Sequence, residues 1–234
     1  MLPRVLQVGR RAPGAGAWHV LCNWTILVGC VHIWLRLCYR VRFRGQSNIP
    51  SSGAFLLLSN HQSHLDPMVV GIMTRDRPNR ALARSTLFDS RLLGFLMRLF
   101  GTITLRQGQS DTAAIRTAVG TLKSGRVVLV FPEGRRSEDG RIAPFERGTW
   151  LLLKRAKVPV LPAALDGAID AWPVGQRPSL RGIIESEVGA PIAAADLLAM
   201  GEEQGLAFLR KRIEELRRGC RDRVDARSGK QGRG

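Results

Sequence analysis

A histidine and an aspartate lie five residues apart in the segment 60–66, which reads Asn-His-Gln-Ser-His-Leu-Asp. If Asp66 accepts a hydrogen bond from one ring nitrogen of His61, the other nitrogen can take a proton from a hydroxyl group. This arrangement is two-thirds of a catalytic triad, with the nucleophile supplied by a substrate. Ser63 is a candidate helix cap, and His64 is expected to be exposed or packed. The spacing alone does not separate a catalytic pair from a structural one.

Two further segments carry groups that suit a phosphorylated substrate with a free hydroxyl. In the segment 131–137 (Phe-Pro-Glu-Gly-Arg-Arg-Ser), Glu133 is a potential acceptor for a hydroxyl and Gly134 permits close backbone approach. Arg136 offers the planar fork that matches a phosphate group. In the segment 101–106, Arg106 follows a short apolar run and supplies a second guanidinium. The alternative for each segment is a polar turn without chemistry.

Short apolar runs alternate with helical patterns from residue 45 onwards. The apolar runs predict strands over residues 54–59, 102–105, 126–131, 158–165 and 182–188, and the periodic segments predict helices over 67–73, 87–100, 111–122 and 150–156. Such alternation is typical of an α/β domain with a mostly parallel sheet flanked by helices. Each of the three polar segments follows a predicted strand. We therefore expect them at the carboxyl edge of the sheet, where sites gather in open α/β folds.

The N-terminal region is predicted to contain a disordered leader over residues 1–16 and a membrane-associated helix over 17–44. Residues 20–35 are nearly all apolar, with tryptophans near both ends. A full span needs about 20 apolar residues, so this run fits either a marginal span or a helix lying in the interface. A buried helix of a soluble protein is the third reading. Basic residues on both flanks favour a cytoplasmic location for those flanks.

The formal net charge is +17, from 36 Lys and Arg against 19 Asp and Glu. This excess requires an anionic partner or surface, and nucleic acid, anionic lipid and phosphorylated substrates all qualify. Part of the charge falls on a basic amphipathic helix predicted over residues 201–220, followed by a disordered tail over 221–234. The four cysteines contain no Cys-x-x-Cys pair, so we predict no zinc site and interpret them as small hydrophobic residues.

Four segments in order resemble the 1-acylglycerol-3-phosphate acyltransferase (lysophosphatidate acyltransferase) family of glycerolipid synthesis. They are the His-x4-Asp block at 60–66, the block ending in Arg106, the Phe-Pro-Glu-Gly-x-Arg-Ser block at 131–137, and the Val-Pro-Val-Leu-Pro strand at 158–162. The resemblance covers residues 45–190 and implies an acyltransferase domain over 45–200. Two positions depart from the family pattern, Arg135 in place of a small residue and Glu146 in a segment that often carries lysine. Both departures bear on the identity of the acceptor lipid more than on the type of reaction.

The resemblance implies an enzyme that transfers a fatty acyl group to 1-acylglycerol-3-phosphate and forms phosphatidic acid. It implies that His61 is the general base, that Asp66 orients it, and that Arg106 and Arg136 hold the acceptor phosphate. Glu133, Gly134 and Ser137 are expected to shape the glycerol site. The expected donor is acyl-CoA or acyl carrier protein, with no metal and no tightly bound cofactor. Expected partners are membrane lipids and the lyso-lipid acceptor, and the expected location is a bacterial inner membrane with the active site facing the cytoplasm.

Three alternatives to this function remain open at the level of sequence. The same chemistry can act on another lyso-lipid, such as a lyso-ornithine lipid or another lysophospholipid. A non-catalytic basic protein that binds membranes or nucleic acid is the second, although the chain has no recognised nucleic-acid motif and only one tyrosine. A hydrolase that uses His61 to activate water is the third. The predicted helix over 87–100 is a candidate lining for an acyl groove or a plain core helix.

Overall fold

The structure is a computed structural model that describes residues 28–74, 77–84, 103–105 and 111–229. Seven strands within these ranges form one sheet: β1 Arg42–Arg44, β2 Leu56–Ser59, β3 Asn79–Arg84, β4 Ile103–Leu105, β5 Val127–Val130, β6 Val160–Asp166 and β7 Glu185–Val188. The strand order is β1-β7-β6-β2-β5-β3-β4. From β6 to β4 in this order, neighbouring strands are parallel. Strand β7 is antiparallel to β6, and β1 pairs in parallel with β7. The predicted α/β fold with a mostly parallel sheet is confirmed, with a reversed pair at one edge.

Helices cover both faces of this sheet. They are α1 Val28–Tyr39, α2 Asp66–Met73, α3 Asp111–Lys123, α4 Arg147–Ala156, α5 Ala168–Ala171, α6 Ala194–Met200 and α7 Glu202–Ser228, with a short 3-10 helix at Gln46–Asn48. The helices predicted over 67–73, 111–122 and 150–156 correspond to α2, α3 and α4. The helix predicted over 87–100 lies outside the described residues.

The side chains of the central strands alternate between two hydrophobic clusters. On β2, Leu57 packs in the cluster that contains residues of α1 and α2. Its neighbours Leu56 and Leu58 pack in the opposite cluster, which contains residues of α3, α4, α6 and α7. A strand that is buried on both faces needs apolar residues at every position, and this explains the unbroken apolar runs in the sequence.

Helix α1 ends at Tyr39, and the chain then turns into β1. Arg40 has φ 47°, a left-handed conformation that stops the helix. The prediction of one helix over 17–44 is therefore wrong at its C-terminal end, because residues 42–44 pair in parallel with β7. Residues before Val28 lie outside the described part of the chain. Within the described part, no helix combines the length and apolarity needed to cross a membrane.

Helix α7 runs eight residues beyond the predicted boundary at residue 220 and ends at Ser228. Residues 221–228 were expected to be disordered and are helical instead. The apolar stripe continues through Cys220 and Val224, both of which are buried. Arg221 and Arg227 on this extension form ion pairs with Asp166 of β6 and Glu185 of β7. The extension is thus held by both packing and charge, which composition alone does not reveal.

Candidate active site at the carboxyl ends of β2 and β5

The 60–66 segment leaves the end of β2 and is fastened to the end of β6. The Asn60 side-chain amide donates to the Leu165 carbonyl and its oxygen accepts from the Leu165 amide, each at 3.0 Å. Gln62 Nε2 donates to the same carbonyl at 2.8 Å. Both side chains are buried. Asn60 and Gln62 thereby fix the loop that carries His61. The sequence analysis did not predict this role, although two amide side chains directly after a predicted buried strand are a usable signal for it.

Asp66 gathers the polar groups of this loop around one carboxylate oxygen. Its Oδ2 lies 2.7 Å from His61 Nδ1 and accepts the backbone amides of Gln62 at 2.5 Å and Ser63 at 2.7 Å. The carboxylate is fully buried, and Asp66 is the first residue of α2, where the helix dipole favours negative charge. Leu65 occupies the N-cap position of α2, and the hydroxyl of Ser63, the predicted cap, accepts the Leu65 amide at 3.3 Å. The expected contact between His61 and Asp66 is therefore present in the structure.

His61 is held from the other side by the 131–137 segment, which follows the neighbouring strand β5. Its ring stacks on Phe131 with centroids 4.1 Å apart and planes inclined by 19°. Its backbone amide donates to Glu133 Oε1 at 2.7 Å, and its carbonyl accepts from the Ser137 amide at 2.8 Å. The His61 side chain keeps 17% of its surface exposed. Because Nδ1 faces Asp66, Nε2 is the ring nitrogen available to a substrate, and no described residue hydrogen-bonds it.

Glu133 joins two loops through its buried carboxylate. Oε1 accepts the His61 amide, and Oε2 accepts the Ala143 amide at 2.9 Å. Burial raises the pKa of Glu133, while these hydrogen bonds act in the opposite direction. The next residue, Gly134, has φ +68°, which favours glycine over residues with a Cβ atom. We expected Glu133 to accept a substrate hydroxyl, and the structure places a backbone donor on each of its oxygens.

Arg136 approaches the same loop next to His64. Burial and the nearby Arg136 guanidinium together lower the pKa of His64, whose ring packs against Trp172 at 4.9 Å, as expected for a packing residue. Arg136 Nη1 is buried and has no hydrogen-bond partner. A buried, unpaired guanidinium nitrogen is costly unless an anion fills the space beside it. Arg106, the second predicted phosphate ligand, lies outside the described residues.

The site joins most of the predicted residues into one hydrogen-bonded unit. His61, Asp66, Glu133 and Ser137 are linked directly, and Gly134 lies in the turn between them. Ser137 also donates its hydroxyl to Asp139 Oδ1 at 3.1 Å. Across the described ranges, no group of three or more His, Cys, Asp or Glu residues is placed to hold a metal ion. The site thus combines an imidazole oriented by a buried carboxylate with a nearby guanidinium that has one unpaired buried nitrogen.

Known proteins match this chain over the same region. Residues 40–166 match the family model described as Acyltransferase. The chain is 30% identical over 166 residues to the 1-acyl-sn-glycerol-3-phosphate acyltransferase BAT2, chloroplastic, of Brassica napus, covering 68% of this chain and 48% of that protein. It is 24% identical over 180 residues to the 1-acyl-sn-glycerol-3-phosphate acyltransferase of Bacillus subtilis, covering 75% of this chain and 87% of that protein. The chain thus spans about half the length of the Brassica relative.

The fold is also similar to a solved structure. The crystal structure of the 1-acyl-sn-glycerophosphate (LPA) acyltransferase PlsC from Thermotoga maritima superposes with a TM-score of 0.68 at 24% identity, covering 93% of this chain and 86% of that chain. The matched segment of the family model, residues 40–166, contains both the 60–66 and the 131–137 segments and exceeds half of the 234 residues. The chain belongs to the acyltransferase family.

Proposed function

We propose that this protein transfers a fatty acyl group from a thioester donor to the free hydroxyl of 1-acylglycerol-3-phosphate, giving phosphatidic acid. The observation that carries the proposal is the 2.7 Å contact between His61 Nδ1 and the buried Asp66, which leaves Nε2 directed away from its orienting partner. This is the geometry that a general base needs. The names of the Brassica and Bacillus relatives support the same reaction.

The reaction needs one proton to move twice. His61 Nε2 takes the proton of the acceptor hydroxyl as its oxygen attacks the thioester carbonyl. The C–S bond breaks when the tetrahedral intermediate collapses, and the imidazolium returns its proton to the departing thiolate. Asp66 stabilises the imidazolium that exists between these steps, since its Oδ2 lies 2.7 Å from Nδ1. The thiol and the ester are the products, so atoms and charge balance. The donor is acyl-CoA or acyl carrier protein.

The acceptor phosphate is assigned to Arg136. Its buried, unpartnered Nη1 supports a bound anion next to the loop that carries His61. Gly134 and Ser137 flank the same turn and are proposed to line the glycerol site, with Glu133 holding the two loops in place. Arg106 stays a prediction as the second phosphate ligand.

Membrane association is proposed for one face of α1. Ile33, Trp34 and Leu37 have 61%, 36% and 77% of their surface exposed. Arg36 is exposed on the same helix and Arg40 is exposed directly after it, and the sequence contains no acidic residue before Asp66. Apolar side chains with a basic surround fit the headgroup region of an anionic bilayer, where a lyso-lipid acceptor resides. The bacterial inner membrane and its cytoplasmic side remain predictions of the sequence.

The test is transfer from labelled acyl-CoA to lysophosphatidate by the wild type and by His61→Ala. Loss of a general base typically costs about 10²–10⁴-fold, and we expect a fall of that size in kcat. His64→Ala is the matched control, because His64 lies in the same loop but contacts Trp172 rather than Asp66. A His61→Ala variant with full activity refutes the proposal.

A second variant tests the acceptor. Arg136→Ala is expected to raise KM for lysophosphatidate at least about tenfold, because one charge-assisted hydrogen bond contributes roughly 1.5–3 kcal/mol. KM for the acyl donor should not change. A lyso-ornithine lipid, which has no phosphate, serves as the comparison acceptor. An equal effect of Arg136→Ala on both acceptors contradicts the phosphate role.

A further inference from the structure

A groove of about 560 Å³ lies between α7 and the segment that follows the 131–137 turn. Its charged lining consists of Arg141, Arg210, Lys211, Glu214, Arg217 and Arg218. We call this cavity the basic groove. Five cationic side chains face one carboxylate, so the cavity attracts anions. Its volume falls in the range of about 300–1,000 Å³ typical of small-molecule sites.

The cations of the basic groove are held in place by different partners. Arg217 and Arg218 both pair with Glu214, each at 2.9 Å. Arg210 donates from Nε and Nη2 to the Ile142 carbonyl, at 3.1 and 2.8 Å. Lys211 is exposed, and within the described residues it forms no ion pair with an acid. The groove thus presents oriented guanidinium groups together with an ammonium group available to a ligand.

The walls of the basic groove are continuous with the anchors of His61. Ile142 lines the groove, and the next residue, Ala143, donates to Glu133, whose other oxygen accepts the His61 amide. On the opposite wall, Arg217 pairs with Asp166 at 2.7 Å. Asp166 follows Leu165, to which Asn60 and Gln62 are bonded. Two routes of hydrogen bonds and ion pairs therefore connect the walls of the groove to the residues that anchor the His61 loop.

The basic groove and the exposed face of α1 lie on opposite sides of the sheet. Residues of α1 pack in the cluster that contains Leu57, whereas residues of α7 pack in the cluster that contains Leu56. If α1 rests on the bilayer, the part of α7 that lines the groove lies on the other side of the sheet from it. The ligand of the groove is then a water-soluble anion, and a lipid headgroup is the less suitable occupant.

We propose that the basic groove binds the phosphorylated nucleotide end of a CoA thioester, the acyl donor. This inference rests on the proposed function, which assigns the acceptor phosphate to Arg136 and leaves the donor as the other phosphorylated reactant. Guanidinium forks recognise phosphate groups in bidentate geometry, and several of them line this cavity. The pantetheine arm of the donor extends from the groove towards His61 and carries the thioester to the base.

Binding is tested without catalysis, by calorimetric titration of the full chain with adenosine 3′,5′-bisphosphate. Lys211→Glu places a negative charge in the groove and is expected to weaken binding about tenfold or more. Arg212→Glu is the matched control, because it makes the same change in sign on the adjacent residue outside the groove. Glu214→Gln removes the one carboxylate among the described residues that line the groove and is expected to tighten binding. No binding by the wild type, or equal weakening by Lys211→Glu and Arg212→Glu, overturns the proposal.

Two further measurements separate this inference from the proposed function. His61→Ala protein should bind the bisphosphate as the wild type does, so a failed acyl-transfer assay leaves the titration interpretable. In the active enzyme, Lys211→Glu should raise KM for acyl-CoA about tenfold and leave kcat and KM for lysophosphatidate unchanged. A Lys211→Glu variant that impairs transfer from acyl carrier protein but not from acyl-CoA assigns the groove to the carrier protein and overturns the nucleotide assignment.

Discussion

Asp66 and Asp166 are both buried aspartates at the carboxyl edge of the sheet, yet their partners come from different parts of the chain. Asp66 Oδ2 contacts groups three to five residues earlier, in Ser63, Gln62 and His61. Asp166 contacts Arg217 and Arg221, which are 51 and 55 residues later. One carboxylate is organised by its own loop, and the other by a helix near the end of the described chain.

The partners also decide what each carboxylate does. Asp66 faces one nitrogen of an imidazole, so its charge acts on a group that has a second nitrogen free for a substrate. Asp166 faces two guanidinium groups that stay protonated at every accessible pH. Burial raises the pKa of Asp166, and the two arginines oppose that shift. The first carboxylate orients an imidazole, and the second fastens α7 to β6.

Ion pairs between α7 and the sheet account for part of the positive charge of the chain. A total of +17 predicted an anionic partner or surface, but several arginines of α7 are matched by acids of the sheet. Arg217 and Arg221 pair with Asp166, and Arg227 pairs with Glu185. This part of the positive charge stabilises the fold. By contrast, Lys211 in the basic groove and Arg36 on α1 are exposed and form no ion pair with an acid within the described residues.

The largest expected effect comes from Asp66→Asn. An asparagine amide cannot accept from His61 and both backbone amides in the way that the carboxylate does, so the imidazole loses its orientation and its counter-charge. We expect kcat to fall by about 10²–10⁴-fold. The measurement is steady-state acyl transfer well below the unfolding temperature, with Asp166→Asn alongside. If Asp166→Asn lowers kcat as much as Asp66→Asn, the proposed division between the two carboxylates is wrong.

A smaller effect, on stability, is expected from Asp166→Ala. Breaking a buried ion pair costs about 3–5 kcal/mol. The arginine side chains here keep 16% and 29% of their surface exposed, so about 2–3 kcal/mol of unfolding free energy should be lost. Asp170→Ala is the control, because Asp170 also pairs with Arg221 but is 55% exposed and should cost less than about 1 kcal/mol. Urea denaturation followed by tryptophan fluorescence compares them, and equal losses contradict the structural role of Asp166.

The smallest effect concerns the docking of α7. It is a difference in the rates at which two cysteines react with a thiol reagent, and it is measured without an activity or stability assay. Burial raises the pKa of the Cys220 thiol to about 12, whereas Cys30 is exposed on α1. In variants that keep one cysteine each, Cys30 should react with a thiol reagent at pH 8 far faster than Cys220, because the thiolate is the reactive form. Denaturant should remove the difference. Fast reaction of Cys220 in the native protein shows that α7 leaves the sheet.

The elements around the active site were predictable because their signals are local. Three consecutive buried leucines mark β2, and the His-x4-Asp spacing places two interacting groups on one short loop. The resemblance of the four motifs then gave the reaction class. The end of α7 was not predictable in the same way, since residues 221–228 read as a charged tail until their acidic partners on β6 and β7 are placed beside them.

The sequence by itself determined the α/β alternation, the strands that end at the site and the His61–Asp66 pair, because each depends on residues within a few positions of one another. Only the tertiary structure decided that Asn60 bonds Leu165, that Glu133 supports the His61 backbone, and that α7 closes a basic groove. These contacts join residues 72 to 105 positions apart or depend on how α7 docks. Such pairings are set by strand order and helix docking, which leave no periodic trace in the sequence.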